Sequence, residues 1–492
     1  MLAFAAGLVS ATGFAPLGYW PLTLAACALL FHLVRSAKSW RAALGRSYSF
    51  GLGHFILGLN WIAGAFHYQN AMPPWLGWVA VIGLSLYLAL FAMAAFGLAW
   101  RIAKKWRDIE FVFLVAGLWV VAELARASLF TGFAWNPLSA AFVSAADATR
   151  LVGTYGVSGL ALLVAASVWM AARRQWRAAL WTLAAPLGLS VAGGLGPALT
   201  PPPALRNAPQ LRIVQPNIGQ QDKHDAHFDA INFQKLAAHT GASGAEPRLV
   251  FWPEAAVPDY LEEDASARLR LARLLGPQDL LLTGGVALEY DRSGKLVGAR
   301  NSVFLIDPQA RLLGRYDKAH LVPYGEYLPM RPMLSAIGLS RLVPGDIDFW
   351  PGAGPASLAL PGGGHVGLQI CYEMIFSGQV VDERHRPDFL FNPSNDAWFG
   401  SWGPPQHLAQ ARLRALEEGL PVIRSTPTGI SALIDADGTV VKALPYQQAG
   451  AITASLPPAR TPTLFARFGL AATWALALAL CALGIALRRA LR

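Results

Sequence analysis

Cysteine and charge are both scarce in this chain. Only three of its 492 residues are Cys, and only 14% are charged against 54% hydrophobic, a balance seldom found in a soluble enzyme of this size. Cys27 and Cys481 lie in apolar runs and read as small buried hydrophobes, which leaves Cys371 without an evident disulfide partner. His224 and His227 are three apart with no further ligand pattern, so no metal site is expected, and no cofactor. Gly362-Gly-Gly364 lacks the Gly-Lys-Ser/Thr ending of a phosphate loop and precedes an apolar run; it reads as a turn. There is no internal repeat, and no low-complexity tract beyond a Pro/Gly-rich linker near Gly193 to Pro203. No basic region precedes the opening apolar run and no clear small-residue cleavage site follows it, so a retained anchor is expected rather than a removable signal peptide.

What the chain has in quantity is hydrophobic length. Uncharged stretches run from Ser47 to Phe66, Trp75 to Trp100, Leu151 to Ala172, Ala178 to Gly196 and Phe468 to Leu487, each close to the roughly 20 residues a helix needs to cross hydrocarbon. The stretch from Phe111 to Phe130 is similar but carries Glu123 and Arg126, three apart on one helical face, where they could pair inside a bundle. Met1 to Val34 holds no formal charge and is broken by Pro16, Gly18 and Pro21, which favours two short helices joined by a turn. The count is about eight spans.

Four cationic clusters follow alternate spans: Arg35, Lys38, Arg41 and Arg46; Arg101, Lys104, Lys105 and Arg107; Arg173, Arg174 and Arg177; Arg488, Arg489 and Arg492. All four therefore belong on one side, which the positive-inside rule makes cytoplasmic. The polar segment between the last two spans then faces the opposite compartment, the periplasm in a diderm bacterium. The expected division is a membrane bundle of about seven spans over residues 1–196, an extramembrane domain over 197–462 and a final span in 463–492. Much of the net charge of +10 sits in the cytoplasmic clusters, so topology accounts for it and no nucleic-acid partner is expected. Nothing in the sequence points to an oligomer, and a monomer is expected.

From Leu211 the pattern changes to short apolar runs between polar helical stretches. Leu211 to Gln215, Leu249 to Trp252, Asp279 to Val286, Ser302 to Ile306, His365 to Ile370 and Asp388 to Phe391 read as buried strands; His227 to His239, Ala265 to Leu275 and Gln406 to Glu418 read as helices. This alternation predicts an α/β layered domain. Three polar residues stand just after strand-like runs, where such a sheet presents side chains to a crevice: Glu254, Lys318 and Cys371. A thiol becomes a nucleophile when a cation lowers its pKa and a base takes its proton, and a lysine and a glutamate would supply both. The backbone N–H of Tyr372 is a possible second donor to an oxyanion. Spacing alone is weak evidence, since a lone Glu, Lys or Cys at a strand end is more often structural.

The motifs are more specific than the spacing. Trp252-Pro-Glu254, Tyr316-Asp-Lys-Ala-His-Leu-Val-Pro-Tyr-Gly-Glu326, Ile370-Cys-Tyr-Glu373 and Asn392-Pro-Ser-Asn-Asp-Ala-Trp-Phe-Gly400 resemble the nitrilase (carbon–nitrogen hydrolase) superfamily. The spans on both sides, with the run His407 to Glu417, make nearly the whole chain resemble the apolipoprotein N-acyltransferases. The resemblance implies an αββα nitrilase-like sandwich inserted between the transmembrane helices of an eight-helix bundle. It implies Glu254 as general base, Lys318 as oxyanion-stabilising cation and Cys371 as acyl-accepting thiol, with Glu326, Tyr372 and Glu373 supporting the site. Two departures stand out: His224 in Lys223-His-Asp225 where the family commonly has Trp, and Ala134 where it often has Pro.

The activity so implied is acyl transfer from a membrane phospholipid, through a Cys371 thioester, to the N-terminal amine of a diacylglyceryl-cysteine lipoprotein, at the bacterial inner membrane. Tyr324 to Pro344, rich in Leu, Met, Ile and Pro, reads as a mobile arm at the bilayer surface or as a loop packed on the domain itself. A membrane-tethered amidase would use the same three residues on water. A transporter or receptor with an outer binding domain would not need the thiol.

Overall fold

A computed structural model describes residues 1–68, 72–199, 209–223, 225–244, 246–336 and 349–490. His224 and the part of the 324–344 arm beyond residue 336 lie outside the described residues.

Among the described residues the chain begins with eight α-helices: α1 (Leu2–Ala11), α2 (Trp20–Arg35), α3 (Trp40–Gly58), α4 (Ile62–Ala65), α5 (Leu76–Ala103), α6 (Asp108–Ser128), α7 (Thr149–Ala172) and α8 (Trp176–Leu199). The α1–α2 break falls at the Pro16–Pro21 segment, as the sequence predicts. Among the described residues four helices are long and apolar enough to cross a membrane, α5, α7, α8 and the C-terminal α15 (Leu470–Ala490); α3 with the short helical segment after it makes a fifth if that bent pair is one span. α7 is the central helix, 83% buried, whereas α8 and α15 turn most of their apolar surface outward. Leu180, Trp181, Leu187, Val191 and Leu195 on α8 are all more than half exposed, the inverse of a soluble fold and what a lipid-facing helix requires. Glu123 and Arg126 do not pair with each other among the described residues. Glu123 accepts from Leu138 N–H (2.9 Å) and Trp119 Nε1 (3.1 Å), and Arg126 donates to the carbonyls of Phe133 (3.0 Å) and Trp135 (2.7 Å). Both hold the loop after α6.

The cationic clusters meet at one end of this bundle. Arg35 at the end of α2 pairs with Asp108 at the start of α6 (2.8 Å), and Gln175 between α7 and α8 donates to the same carboxylate (2.9 Å). The start of α6 also packs on α15 near its C-terminal end, where a Cβ on Gly484 would lie 2.9 Å from the Glu110 carbonyl.

Twelve strands follow among the described residues: β1 (Gln210–Gln215), β2 (Arg248–Phe251), β3 (Leu280–Tyr290), β4 (Leu296–Ile306), β5 (Leu312–Asp317), β6 (Ala356–Ala359), β7 (His365–Leu368), β8 (Phe389–Pro393), β9 (Val422–Ser425), β10 (Ala432–Ile434), β11 (Val440–Ala443) and β12 (Gly450–Ser455). They form two six-stranded sheets in the orders β12-β1-β2-β3-β4-β5 and β11-β10-β9-β8-β7-β6. β1, β2 and β3 run parallel, as do β7, β8 and β9, and the outer strands are antiparallel. The parallel strands read as unbroken apolar runs because both of their faces are covered. Between the sheets lie Leu211, Phe251, Leu282, Leu368 and Phe391; Phe251 sits 4.8 Å from the ring of Phe391 and 6.2 Å from that of Phe389. Burying such a side chain contributes roughly 1.5–3 kcal/mol.

Helices cover the outer faces. α9 (Gln220–Lys223), α10 (Asp229–Thr240) and α11 (Ala265–Ala272) follow β1 and β2, and Leu236 and Leu271 pack on the first sheet with Trp252 and Phe304. α12 (Arg331–Ala336) precedes the second sheet, and α13 (Gly403–Glu418) packs Ala411 and Ala415 on it. The order is therefore helix, sheet, sheet, helix. The triple glycine at 362–364, all at positive φ, is the β6–β7 turn.

Short α14 (Leu464–Phe468) returns the chain to α15. Its Phe465 fills the notch in α7 left by Gly153, whose φ of +72° and missing Cβ (it would lie 2.2 Å from the ring) both require glycine. Domain and bundle are further joined by Arg150–Asp437 (2.6 Å), by Glu417 Oε1 accepting from Thr154 N–H (2.7 Å), and by Tyr372 Oη donating to the Gly132 carbonyl (3.2 Å).

Candidate active site

Glu254, Lys318 and Cys371 each follow the C-terminal end of a strand, β2, β5 and β7 respectively, and the sandwich brings these ends together. The loop after β2 is tied to β3 by Gly284 N–H to the Pro253 carbonyl (3.1 Å) and Ala256 N–H to the Gly284 carbonyl (3.0 Å). A Cβ on Gly284 would fall 2.4 Å from Ala255 N and 2.7 Å from Glu254 Cα, so only glycine lets the loop approach. Gly284→Ala is expected to push Glu254 out of register. The variant should lose about 1–3 kcal/mol to overpacking and roughly 100-fold in activity, read by thermal melting and by turnover.

Lys318 is only 1% exposed, and its Nζ lies 3.2 Å from Glu254 Oε1 and 3.0 Å from Glu326 Oε1. Asn301 Nδ2 donates to those same two oxygens, at 2.7 and 2.8 Å. Glu326 Oε2 accepts from Val322 N–H (2.8 Å), so this carboxylate also closes the 322–326 turn. A second, half-buried ammonium, Lys223, donates to the Glu254 carbonyl (2.8 Å), and in the better amide orientation of Asn395 its Oδ1 lies 3.2 Å from Lys223 Nζ. Two carboxylates and two ammonium groups thus share one cluster.

The cluster sets the charges. Burial opposes ionisation of Glu254, but Lys318 and Lys223 outweigh it and hold the carboxyl below its ordinary value. Burial likewise works against the charge of Lys318, and Glu254 and Glu326 overcome it, so that the ammonium is held more firmly than usual. Lys223 is pulled down to about 8 by burial. Burial, then the charge of Glu254, pushes the Cys371 thiol well above its ordinary value against the pull of Lys318. At neutral pH the site is a neutral thiol facing an ionised carboxylate and a fixed ammonium. It is arranged for proton transfer from sulfur to Glu254 on attack.

Cys371 has a φ of +50°, which a residue with a Cβ adopts at a cost of roughly 1–3 kcal/mol. Its carbonyl accepts from His407 Nε2 (3.1 Å) and Asn392 Nδ2 (3.4 Å), and the Asn395 N–H faces the thiol. Glu373 braces the site from beneath: it accepts from Tyr316 Oη (2.9 Å), Ala319 N–H (2.7 Å), His320 N–H (3.1 Å) and Ile370 N–H (2.6 Å). The loop bearing Lys318 is thereby fixed to the residue before Cys371.

All six residues singled out in the sequence thus lie at or beside this cluster, with Tyr372 turned toward the bundle. The sequence reading passed over Lys223, Asn301, Asp396 and Arg424 as site residues. Asp396 and Arg424 are ion-paired and wholly buried, with His407 Nδ1 3.0 Å from Asp396 Oδ1. Cys371, Asp396 and His407 offer ligand-type atoms within 4.8 Å of one another, but Asp396 and His407 are committed to these bonds. Two quoted stretches carried a signal: Lys223-His-Asp225 contains Lys223, and the Asn392–Gly400 motif contains Asp396.

Comparison with known proteins agrees in extent with this architecture. A family model described as apolipoprotein N-acyltransferase N-terminal domain matches residues 6–167, and one described as carbon-nitrogen hydrolase matches residues 210–464. An apolipoprotein N-acyltransferase of Rhodopseudomonas palustris is 34% identical, covering 95% of this chain and 91% of the relative. One of Bradyrhizobium diazoefficiens is 35% identical over the same shares. Among solved structures, Saccharomyces cerevisiae Nit3, a nitrilase-superfamily member, is 20% identical with a TM-score of 0.37, covering 52% of this chain and 93% of that one.

Proposed function

The chain belongs to the apolipoprotein N-acyltransferase family, and on that premise we propose that Cys371 carries a fatty acyl group, as a thioester, from a membrane phospholipid to the N-terminal amine of a diacylglyceryl-cysteine lipoprotein. The observation that carries the reading is the buried Glu254–Lys318 pair acting on a thiol held neutral at rest. Glu254 takes the thiol proton as sulfur attacks the ester carbonyl. Lys318 and the Tyr372 N–H, which among the described residues donates to no protein acceptor, stabilise the oxyanion. Collapse expels the lysophospholipid alkoxide, which receives the proton from Glu254. The incoming amine then attacks the thioester as its proton passes to Glu254, and Glu254 returns that proton to the departing Cys371 thiolate.

The membrane arrangement is part of the proposal. Eight spans formed by α1, α2, α3 with α4, α5, α6, α7, α8 and α15 divide the chain into a bundle at 1–196, a catalytic domain at 197–462 and a final span in 463–492. The cationic end of the bundle faces the cytoplasm of a bacterial inner membrane, and the domain faces the periplasm. The gathering of Arg35, Asp108 and Gln175 at one end, and of the domain contacts at the other, supports it. The enzyme works as a monomer. Tyr324, Met330 and Met333, 47%, 63% and 68% exposed, support a lipid-facing arm over the site.

Incubation of the purified protein with phospholipid, followed by mass spectrometry, is expected to find a hydroxylamine-labile acyl adduct on the Cys371 peptide. No adduct there, with the chain folded, rejects the reading. The pH dependence tests the base. Glu254 is held below its ordinary 4.5, so wild-type acylation should stay flat as pH falls toward that value. In Glu254→Gln the rate should instead fall about tenfold for each unit by which pH is lowered, following the thiolate fraction.

A further inference from the structure

Two adjacent residues in the first turn of α13, Gln406 and His407, face different parts of the molecule. Gln406 faces the bundle. Its Oε1 accepts from Trp61 Nε1 (3.2 Å), Trp135 Nε1 (2.8 Å) and Asn136 Nδ2 (2.9 Å), and its Nε2 donates to the Gly58 carbonyl (3.2 Å). Gly58 and Trp61 flank the break between α3 and α4, and Trp135 and Asn136 belong to the loop after α6 that Glu123 and Arg126 hold. One amide thus joins two bundle segments to the domain, and it is 1% exposed.

His407 faces the nucleophile. Its Nε2 lies 3.1 Å from the Cys371 carbonyl, and since a carbonyl oxygen only accepts, that nitrogen carries the proton. The other nitrogen is 3.0 Å from both Asp396 Oδ1 and Arg424 Nη2. The ring is wholly buried beside Trp135, with centroids 5.2 Å apart, so it has no other rotamer to adopt. The group it holds needs holding: Cys371 sits at positive φ, and His407 and the longer Asn392 contact are the donors to its carbonyl.

We infer that His407 is a positioning residue for Cys371, and that Gln406 beside it makes the nucleophile's geometry depend on the seating of the domain on the membrane bundle. The inference rests on Cys371 being the nucleophile but on no particular acyl donor. Trp135 serves both neighbours, donating to Gln406 and packing on His407, so a shift of the α6 loop reaches the thiol through two residues. The site is therefore correctly formed only when the domain is docked on its helices.

The test uses the full chain in detergent and two readouts: alkylation of Cys371 by iodoacetamide, which needs no lipid, and formation of the acyl adduct from phospholipid vesicles. His407→Met, which loses the donor, is expected to slow adduct formation about 100-fold and alkylation about tenfold. His407→Gln, which keeps an N–H donor, should recover most of both. Gln406→Leu, with His407 intact, should slow adduct formation about tenfold. Wild-type rates in His407→Met, or equal loss in His407→Gln and His407→Met with wild-type melting in both, overturn the inference. If His407→Met does not melt cooperatively, Gln406→Leu decides, and a wild-type rate there rejects the coupling. Absence of an adduct from any phospholipid, with the alkylation pattern as expected, would sink the acyl-donor reading and leave this inference standing.

Discussion

Lys318→Met is expected to form no acyl adduct on Cys371 at a measurable rate and to melt well below the wild type. The side chain is buried between Glu254 and Glu326 at 3.2 and 3.0 Å, and its loss leaves two carboxylates sharing one Asn301 amide. Removing one partner of a buried charge cluster costs about 3–5 kcal/mol, because the remaining charges stay desolvated. The chemical loss has two parts. Without the ammonium, Glu254 takes up a proton more readily and fails as a base, an effect of about 10²–10⁴. The oxyanion also loses its cation, about 10²–10³ more for one donor. Lys318→Arg should not restore the rate, because a planar guanidinium replaces a point charge fitted between two carboxylates. Time-resolved mass spectrometry of the adduct and thermal melting measure the two losses separately. Wild-type acylation in Lys318→Met would remove the lysine from the mechanism.

How much of this was legible in the sequence depended on whether a residue's role is local. Strands β1, β2, β7 and β8 and helices α10, α11 and α13 lie within three residues of where the apolar runs and their periodicity place them, whereas β3 runs four residues past its expected end and β4 starts six residues before its expected start. The strands that went unread carry at most two or three apolar residues in a row. β6 is Ala-Ser-Leu-Ala at a sheet edge, β12 is defined by its six-residue pairing with β1, and β9 hides Arg424 in the middle of a fully buried strand. Their conformation is set by partners distant in sequence, which periodicity does not register.

The same division runs through the site. Glu254 and Cys371 were visible because each follows a buried apolar strand; Lys318 follows the half-buried β5, and the family motifs gave all three their roles. Asp396 and Arg424 are bonded to each other, and they and Asn301 are held by partners 11 to 47 positions away, so no spacing marks them. Glu123 and Arg126 show the limit from the other side. Helical spacing fixed the face they share, but both turn to the backbone of 133–138, where the Phe133 and Trp135 carbonyls and the Leu138 N–H have no other partner among the described residues.

The brace at Glu373 carries the other large effect. Its two oxygens receive three backbone N–H groups and the Tyr316 hydroxyl, joining the segment after Lys318 to Ile370, the residue before the thiol. Glu373→Gln replaces one oxygen by an NH₂ that faces N–H donors, leaving at least one buried donor unsatisfied at about 1–3 kcal/mol. Relaxation of that clash moves Lys318 or Cys371, and acylation should fall roughly 100-fold. A pH dependence distinguishes this brace from an ordinary buried polar group. Burial pushes the Glu373 carboxyl up to about 7 from an ordinary 4.5, against the pull of the His320 and Ile370 N–H groups. Between those values the folded chain retains a proton that the unfolded chain has released, so wild-type stability should decline as pH rises through the window. Glu373→Gln cannot titrate, and its melting temperature should be correspondingly less sensitive to pH across that range. Parallel curves for the two proteins would mean that Glu373 is already ionised there, and the brace would then be a permanent anion held by its four donors.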